Sequence, residues 1–242
     1  MQFDLRRFPV VTSTMDVGRE LAEQGAPEGL VVVADEQRAG RGRAGRAWYS
    51  PSGQSLYLSL LLRPALGARQ IGWLTMIGAL AVLDGLAHLS SLDARLSLKW
   101  FNDVLLNGRK LAGVLVEASF VADRLDYAIL GIGLNVNTCF ADAPAEVRQR
   151  ATSLRQAFGR EFDRDDVLAR LLAAFGARYQ RLPASPLADY IGHLETLGRP
   201  VRLCAGHEII EGAAVRVQED GALVVMTAAG ERVAAFGEVI SG

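Results

Sequence analysis

Nine consecutive residues, RAGRGRAGR at positions 38–46, contain four arginines and three glycines. Guanidinium groups suit the oxygens of phosphates and carboxylates, and glycine lets the backbone come close to a ligand. This composition predicts a loop that binds an anion. A solvated basic loop and an RNA-contacting arm are the alternatives, because clustered positive charge serves all three.

The same loop also contains the pattern G-x-G-x-x-G at Gly40, Gly42 and Gly45. A dinucleotide-binding fold requires a helix that begins at these glycines and an acidic residue about 20 positions later. Here the loop leads into WYSPSG and then another predicted strand, and residues 58–69 contain no acid. The dinucleotide interpretation is therefore rejected, and the chain contains no P-loop motif.

A second group of polar residues interrupts the apolar sequence KWFNDVLLNGRKLAGVLVE at 99–117. Charged groups in buried strands cost several kcal/mol unless they are paired or liganded. Strand alternation places Lys99 and Asp103 on one face, and Lys110 opens a strand of small and branched residues. The pattern suits an amine at a pocket wall. The alternative is a pair of lysines that lie along the surface with exposed ammonium groups.

The strand predicted at 127–136 ends in GIGLNVN, where Asn135 and Asn137 share one face. Amides at that point suit a polar ligand or a phosphate–metal shell, and the alternative is a turn whose asparagines satisfy backbone groups. Trp48 follows the Arg/Gly loop directly, which makes it a candidate ligand contact. No catalytic triad and no metal-ligand spacing is evident.

Composition narrows the class of protein. The chain has 242 residues, a net charge of −1, 50% hydrophobic and 22% charged residues. These values exclude a disordered or fibrous chain and a nucleic-acid binder that uses its whole surface. Two cysteines far apart in sequence suit a reducing compartment, and no signal peptide or membrane span is evident. We expect a cytoplasmic protein without membrane contact.

The order of predicted elements indicates an α+β fold. Strand patterns alternate irregularly with helices predicted near 14–24, 69–89, 145–158, 163–182 and 187–197. This order favours a mixed sheet with helices, which we assign to a catalytic domain at 1–194. Closely spaced short strands then predict a small C-terminal β-barrel domain at 195–242.

Together these motifs resemble the biotin–protein ligases. The match runs in order through Ser13-Thr14, EQRAGRGRAGRAW, KWFND, GRKLAGVLVE, GIGLNVN and GRPVRL, and so covers nearly the whole chain. The combination is far more specific than any one motif. Three positions depart from the family pattern: Met15 replaces a common Asn, Phe101 replaces the usual Pro, and Ser55 stands where Asn is frequent.

The resemblance implies ATP and biotin as substrates, with Mg²⁺ bound with the ATP phosphates and no metal site of protein ligands. Biotin would form biotinyl-5′-adenylate and then pass to a lysine of a biotin carboxyl carrier protein. It implies catalytic roles for Lys110, Arg43 and Asp103. Contacts to biotin or the adenylate are implied for Ser13, Thr14, Gln37, Gly40, Arg41, Gly42, Arg43, Arg46, Trp48, Lys99, Asn102, Lys110, Gly113, Gly133 and Asn135.

Within that assignment, Ser13, Thr14 and Gln37 would contact the biotin rings, Trp48 the adenine side, and Asn135 the phosphates and metal. Only 12 residues precede Ser13, too few for the helix-turn-helix domain of repressor-type ligases. We therefore expect no specific DNA binding. A monomer and a homodimer are both compatible with the sequence. A lipoate or octanoate ligase and a nonenzymatic RNA-binding module are the rival functions.

Overall fold

In the computed structural model, which describes residues 1–89, 94–122, 124–206 and 208–241, seven strands form one mixed sheet. The strands are β1 (Asp4–Val11), β2 (Leu30–Gln37), β3 (Leu56–Leu62), β4 (Leu96–Lys99), β5 (Asp103–Leu106), β6 (Arg109–Val121) and β7 (Arg124–Leu134). Their order across the sheet is β1-β2-β3-β7-β6-β5-β4. Only β1 and β2 pair in parallel, so the predicted mixed sheet is confirmed.

Helices cover both faces of this sheet. They are α1 (Thr14–Glu23), α2 (Ile71–Gly85), α3 (Ala145–Arg150), α4 (Leu154–Phe158), α5 (Arg164–Tyr179) and α6 (Leu187–Gly192). On one face α1 packs through Met15 and Ala22 onto Val32, Leu61 and Ile129. The opposite face carries α2, because strand neighbours point alternately to the two sides.

Helix α2 is enclosed on nearly every side. All residues at 73–85 are buried except Asp84. A Cβ added at Gly78 would lie 2.9 Å from Val114 Cγ1 in the sheet, and one at Gly85 would lie 3.1 Å from the backbone of Leu171 in α5. The helix therefore needs glycine on two sides to fit between the sheet and α5.

Two local predictions are corrected. The sequence analysis predicts no strand at β1, because Asp4, two arginines and Pro9 interrupt the alternation of apolar and polar residues. Charged residues and proline are typical of edge strands, and β1 lies at the edge of the sheet. The helix predicted at 145–158 is two helices. The helical conformation is interrupted at Thr152, whose backbone N donates to Lys110 O at 2.9 Å. Ser153 then caps α4.

The C-terminal strands form a second sheet. They are β8 (Pro200–Ala205), β9 (Glu208–Val217), β10 (Leu223–Thr227), β11 (Gly230–Ala234) and β12 (Glu238–Ser241), all antiparallel, in the order β11-β10-β9-β8-β12. Within the described residues β11 and β12 stay unpaired to each other, so the predicted barrel is an open sheet. The boundary at 194/195 stays a prediction.

No helix within the described ranges is both long enough and apolar enough to span a lipid bilayer.

We predict that Gly78→Val destabilises the protein. The added methyl groups would collide with Val114 and Leu130, and overpacking of this kind costs about 2 kcal/mol. The control is Gly192→Val at the exposed end of α6, where a Cβ meets nothing within 4 Å. Urea unfolding should show a loss of stability for the first variant alone, and equal losses would contradict this packing account.

Candidate functional site

Residues 38–46 leave β2 as a narrow, hydrogen-bonded loop. Trp48 N donates to Gly40 O at 2.8 Å, and Gly42 N donates to Arg46 O at 2.7 Å, so the two arms run side by side. A short turn at Arg43–Gly45 forms the tip, where Ala44 and Gly45 have left-handed φ values of 54° and 73°. This turn directs the side chain of Arg43 away from that of Arg41, and the two arginines contact different parts of the protein.

A chain of buried and half-buried polar groups lies where β2 meets α1. Thr14 donates from N and Oγ1 to Gln37 Oε1 at 2.9 and 3.2 Å, and Gln37 Nε2 donates to Ser50 Oγ at 3.2 Å. Ser13 caps α1 by accepting from Met15 N at 3.3 Å. The structure thus brings together Ser13, Thr14 and Gln37, as expected for residues that would hold one ring system.

Gly40 is tightly enclosed by this polar cluster. A Cβ there would lie 2.7 Å from Ser50 Oγ and 2.9 Å from Gln37 Nε2. Glycine is therefore required at position 40 for the loop to pass over the buried polar groups.

Arg41 is already paired with acids. Its guanidinium donates to Asp16 of α1 and, at 3.2 Å, to Glu117 of β6, which also pairs with Arg19. This network anchors the first arm of the loop to a helix and a strand. The predicted contact of Arg41 with an adenylate stays a prediction, and the structure shows its charge balanced by carboxylates.

Both lysines and Arg43 interact with one carboxylate, that of Asp103. Lys110 Nζ lies 2.6 Å from Asp103 Oδ1, and Lys99 is the cross-strand partner of Asp103. Burial lowers the pKa values of Lys99 and of Arg43, and the charge of Asp103 opposes both shifts. Lys99 and Lys110 are the only two lysines of the chain. Asp103 thus pairs with Lys110 and its charge also acts on Arg43, whereas the roles of Arg43 and Lys110 toward a ligand stay predictions.

Trp48 lies on two facing glycines. Gly113 of β6 is the cross-strand partner of Gly133 of β7, and a Cβ on either would lie 2.9 or 2.4 Å from the Trp48 ring. Lys110 Nζ lies 5.3 Å from the ring centroid. Trp48 Nε1 is buried and has no hydrogen-bond partner among the described residues, so an N–H donor is left for a ligand.

The two predicted asparagines support the fold. Asn102 Nδ2 donates to Val114 O at 2.7 Å, and the buried Asn135 donates from Nδ2 to Thr152 O at 3.0 Å. The amide nitrogens are thus used within the protein. An amide Oδ1 is an acceptor, and it suits a cation better than a phosphate oxygen.

The C-terminal sheet reaches the site. Arg46 pairs with Glu238 of β12 at 2.5 Å, and its contact with a ligand stays a prediction. Trp100 Nε1 donates to Gly221 O at 2.9 Å, and Trp73 Nε1 donates to Glu219 O at 2.7 Å. The turn at 218–221 is thereby fixed against the KWFND segment.

Comparison with known proteins agrees with this arrangement. Residues 7–135 match the family model described as "Biotin/lipoate A/B protein ligase family", and residues 196–242 match "Biotin protein ligase C terminal domain". The chain belongs to the biotin/lipoate ligase family.

Similar sequences and structures support the same assignment. The biotin--[acetyl-CoA-carboxylase] ligase of Mycobacterium tuberculosis is 35% identical over 97% of this chain and 89% of its own. The bifunctional ligase/repressor BirA of Bacillus subtilis is 36% identical over 90% of this chain and 68% of its own. The biotin protein ligase from Aquifex aeolicus in complex with biotin and ATP superposes with a TM-score of 0.80, at 33% identity and 97% coverage of both chains.

Sequence reasoning missed several residues at this ligase-family site. It did not assign Asp16 and Glu117, which hold Arg41, or Glu238, which holds Arg46. No local pattern pairs these acids with their arginines, because each lies far along the chain from its partner. Phe101 was noted only as a departure from the family pattern, although Arg43 Cζ lies 5.1 Å from its ring centroid.

A metal centre made of protein ligands is not seen. Among the residues that the structure describes, no group of three or more His, Cys, Asp or Glu side chains could hold a metal ion.

We predict that Asp103→Asn lowers stability by about 2 kcal/mol, because Lys110 loses its partner in a partly buried position beside two further cations. Inorganic pyrophosphate should raise the thermal midpoint of this variant more than that of the wild type, since the cluster would then be more positive.

The control for this prediction is Asp165→Asn. It breaks the exposed pair with Arg7 at 2.7 Å and should cost less than about 1 kcal/mol. Equal losses in the two variants, or no added effect of pyrophosphate, would contradict the role given to Asp103.

Proposed function

We propose that this protein is a biotin–protein ligase that activates biotin with ATP and transfers it to a lysine of a biotin carboxyl carrier protein. One observation carries the proposal: Asp103 pairs with Lys110 at 2.6 Å, is the cross-strand partner of Lys99, and acts electrostatically on the desolvated Arg43. The ligase relatives and the Aquifex aeolicus complex with biotin and ATP support it. A further neighbour, from Leishmania major in complex with biotinyl-5-AMP, superposes with a TM-score of 0.67 at 26% identity, covering 99% of both chains.

In the first step a carboxylate oxygen of biotin attacks the α-phosphorus of ATP. The bond between the α-phosphorus and the oxygen that bridges to the β-phosphate breaks. Pyrophosphate leaves, and biotinyl-5′-adenylate is formed. Both reactants are anions, so their approach requires positive charge that is already in place. Lys110 and Arg43 would supply this charge, and ligand phosphates would replace Asp103 as their partner.

In the second step the neutral amine of the carrier lysine attacks the acyl carbon of the adenylate. The bond from that carbon to the phosphate oxygen breaks, AMP leaves, and the amine proton passes to solvent or to a nearby carboxylate. Asp103 is the candidate that would orient this amine. Residues of the loop at 38–46 would cover the mixed anhydride and exclude water.

Mg²⁺ would arrive with ATP and supply further charge neutralisation at the phosphates. Since the described residues offer no acidic cluster for it, the phosphate oxygens would provide most of its ligands. Asn135 Oδ1 is the side-chain acceptor that we propose beside it.

We further propose that the protein acts in the cytoplasm. Cys139 and Cys204 are both free thiols, and a reducing compartment would keep them so. Homodimer formation and the lack of specific DNA binding stay predictions.

The decisive experiment is ATP–pyrophosphate exchange with biotin and lipoate as competing acids. The family model includes both kinds of ligase, so the acid that supports exchange decides between them. We expect exchange with biotin at low concentration, and Lys110→Ala should lower it by roughly a hundredfold or more while the fold is kept. Exchange with lipoate alone would refute the biotin assignment, and near-normal exchange in the variant would refute the role of Lys110.

Amine labelling provides a test that does not depend on turnover. The chain has two lysines, and its α-amino group serves as an internal reference. Biotin and ATP together should protect Lys99 and Lys110 from an acylating reagent and leave the α-amino group reactive. Peptide mass spectrometry would measure the three rates, and unchanged lysine labelling would place the ligands elsewhere.

A further inference from the structure

Phe101 lies where the Arg/Gly loop, the main sheet and the C-terminal sheet meet. The guanidinium of Arg43 lies over its ring, with Cζ 5.1 Å from the centroid. A Cβ on Gly221 would lie 2.7 Å from Phe101 Cε2, and one on Gly72 of α2 would lie 3.5 Å from Cζ. The ring therefore contacts the C-terminal turn and α2 while it also faces the loop.

This position of Phe101 is fixed by its neighbours. Its carbonyl accepts a hydrogen bond from the buried Tyr190 hydroxyl at 2.8 Å, and the Trp100 ring meets its ring edge-on at a centroid distance of 5.7 Å. Trp100 in turn donates to Gly221 O at 2.9 Å. Gly221 has a φ of 92°, a conformation that favours glycine, and the absence of a side chain there leaves the space that the ring fills.

Arg43 has fewer partners than its burial requires. Its Nη1 is buried and has no hydrogen-bond partner among the described residues. A desolvated guanidinium is stabilised by an aromatic face beneath it, and Asp103 and Glu238 add the attraction of nearby negative charge. The ring of Phe101 thus holds the cation in place and leaves one N–H donor free to bind.

We propose that Phe101 is a positioning residue: its ring, held by the C-terminal turn, places the Arg43 guanidinium beside Asp103 with Nη1 directed to an anionic oxygen of the ligand. This inference rests on the proposed function, in which that oxygen belongs to the acyl-adenylate. The C-terminal sheet would then help to retain the intermediate through an aromatic contact with the loop arginine.

A double-mutant cycle tests this inference. Phe101→Leu, Arg43→Ala and the double variant are loaded with radiolabelled biotin and ATP, and the release of biotinyl-5′-adenylate is timed. Phe101→Leu should release it about fivefold faster, the change expected from loss of one partly buried cation–π contact. In the Arg43→Ala background the same replacement should change the rate less than about twofold, because the contact is already lost.

The matched control is Phe3→Leu. Phe3 is also half-buried and packs against a glycine, Gly176 of α5. The Phe3→Leu variant should release biotinyl-5′-adenylate at the wild-type rate. Equal release by Phe101→Leu and wild type, or an additive effect in the double variant, overturns the proposal. The additive result would mean that Phe101 acts only on packing. Should Phe101→Leu fail to fold, Phe101→Met removes the aromatic face with a similar volume.

Pyrophosphate affinity separates this inference from the proposed function. The Phe101→Leu variant should bind pyrophosphate less tightly than the wild type. In the Arg43→Ala background, the Phe101→Leu replacement should leave the pyrophosphate affinity unchanged. This measurement requires no biotin chemistry. Wild-type protein without biotin-dependent exchange would refute the ligase proposal, whereas normal exchange with identical pyrophosphate affinity in Phe101→Leu would refute this inference alone.

Discussion

The Asp103 carboxylate is the interaction on which the candidate site depends. It pairs with Lys110 at 2.6 Å and acts on both Lys99 and Arg43, whose pKa values burial lowers. Cations that act on one carboxylate would repel one another without the charge of that anion. Asp103 therefore lets the fold assemble positive charge before a ligand arrives. The phosphates of a nucleotide carry enough negative charge to take its place.

Two different kinds of contact fix the loop that brings Arg43 to this carboxylate. Its first arm is held by ions, through Arg41 with Asp16 and Glu117. Its tip is held by an aromatic ring, through Arg43 over Phe101. Partly exposed ion pairs weaken with salt, whereas a partly buried cation–π contact does so less. The tip can thus keep its position in conditions that loosen the arm.

The C-terminal sheet belongs to the site as well as to the fold. Glu238 pairs with Arg46, and the turn at 218–221 accepts hydrogen bonds from Trp73 and Trp100. Each of these contacts joins residues more than a hundred positions apart in the chain, such as 121 positions for Trp100 and Gly221. Phe101 packs against Gly221 in this turn and also lies beneath the Arg43 guanidinium, so a change in the turn would alter the position of that cation.

The sequence by itself determined the residue types of the site, the buried helix α2 and the mixed α+β fold. These features depend on local spacing: arginine and glycine in one loop, lysine and aspartate at strand ends, and a long apolar run. Tertiary structure alone decided that the Asp103 carboxylate interacts with both lysines and Arg43. It also placed the Trp48 ring against Gly113 and Gly133, and the Arg43 guanidinium over the Phe101 ring. It also decided that β1 joins the sheet despite its charged sequence. The physical reason is that strand pairing and side-chain packing join distant segments, and neither leaves a periodic signal in the sequence of either segment.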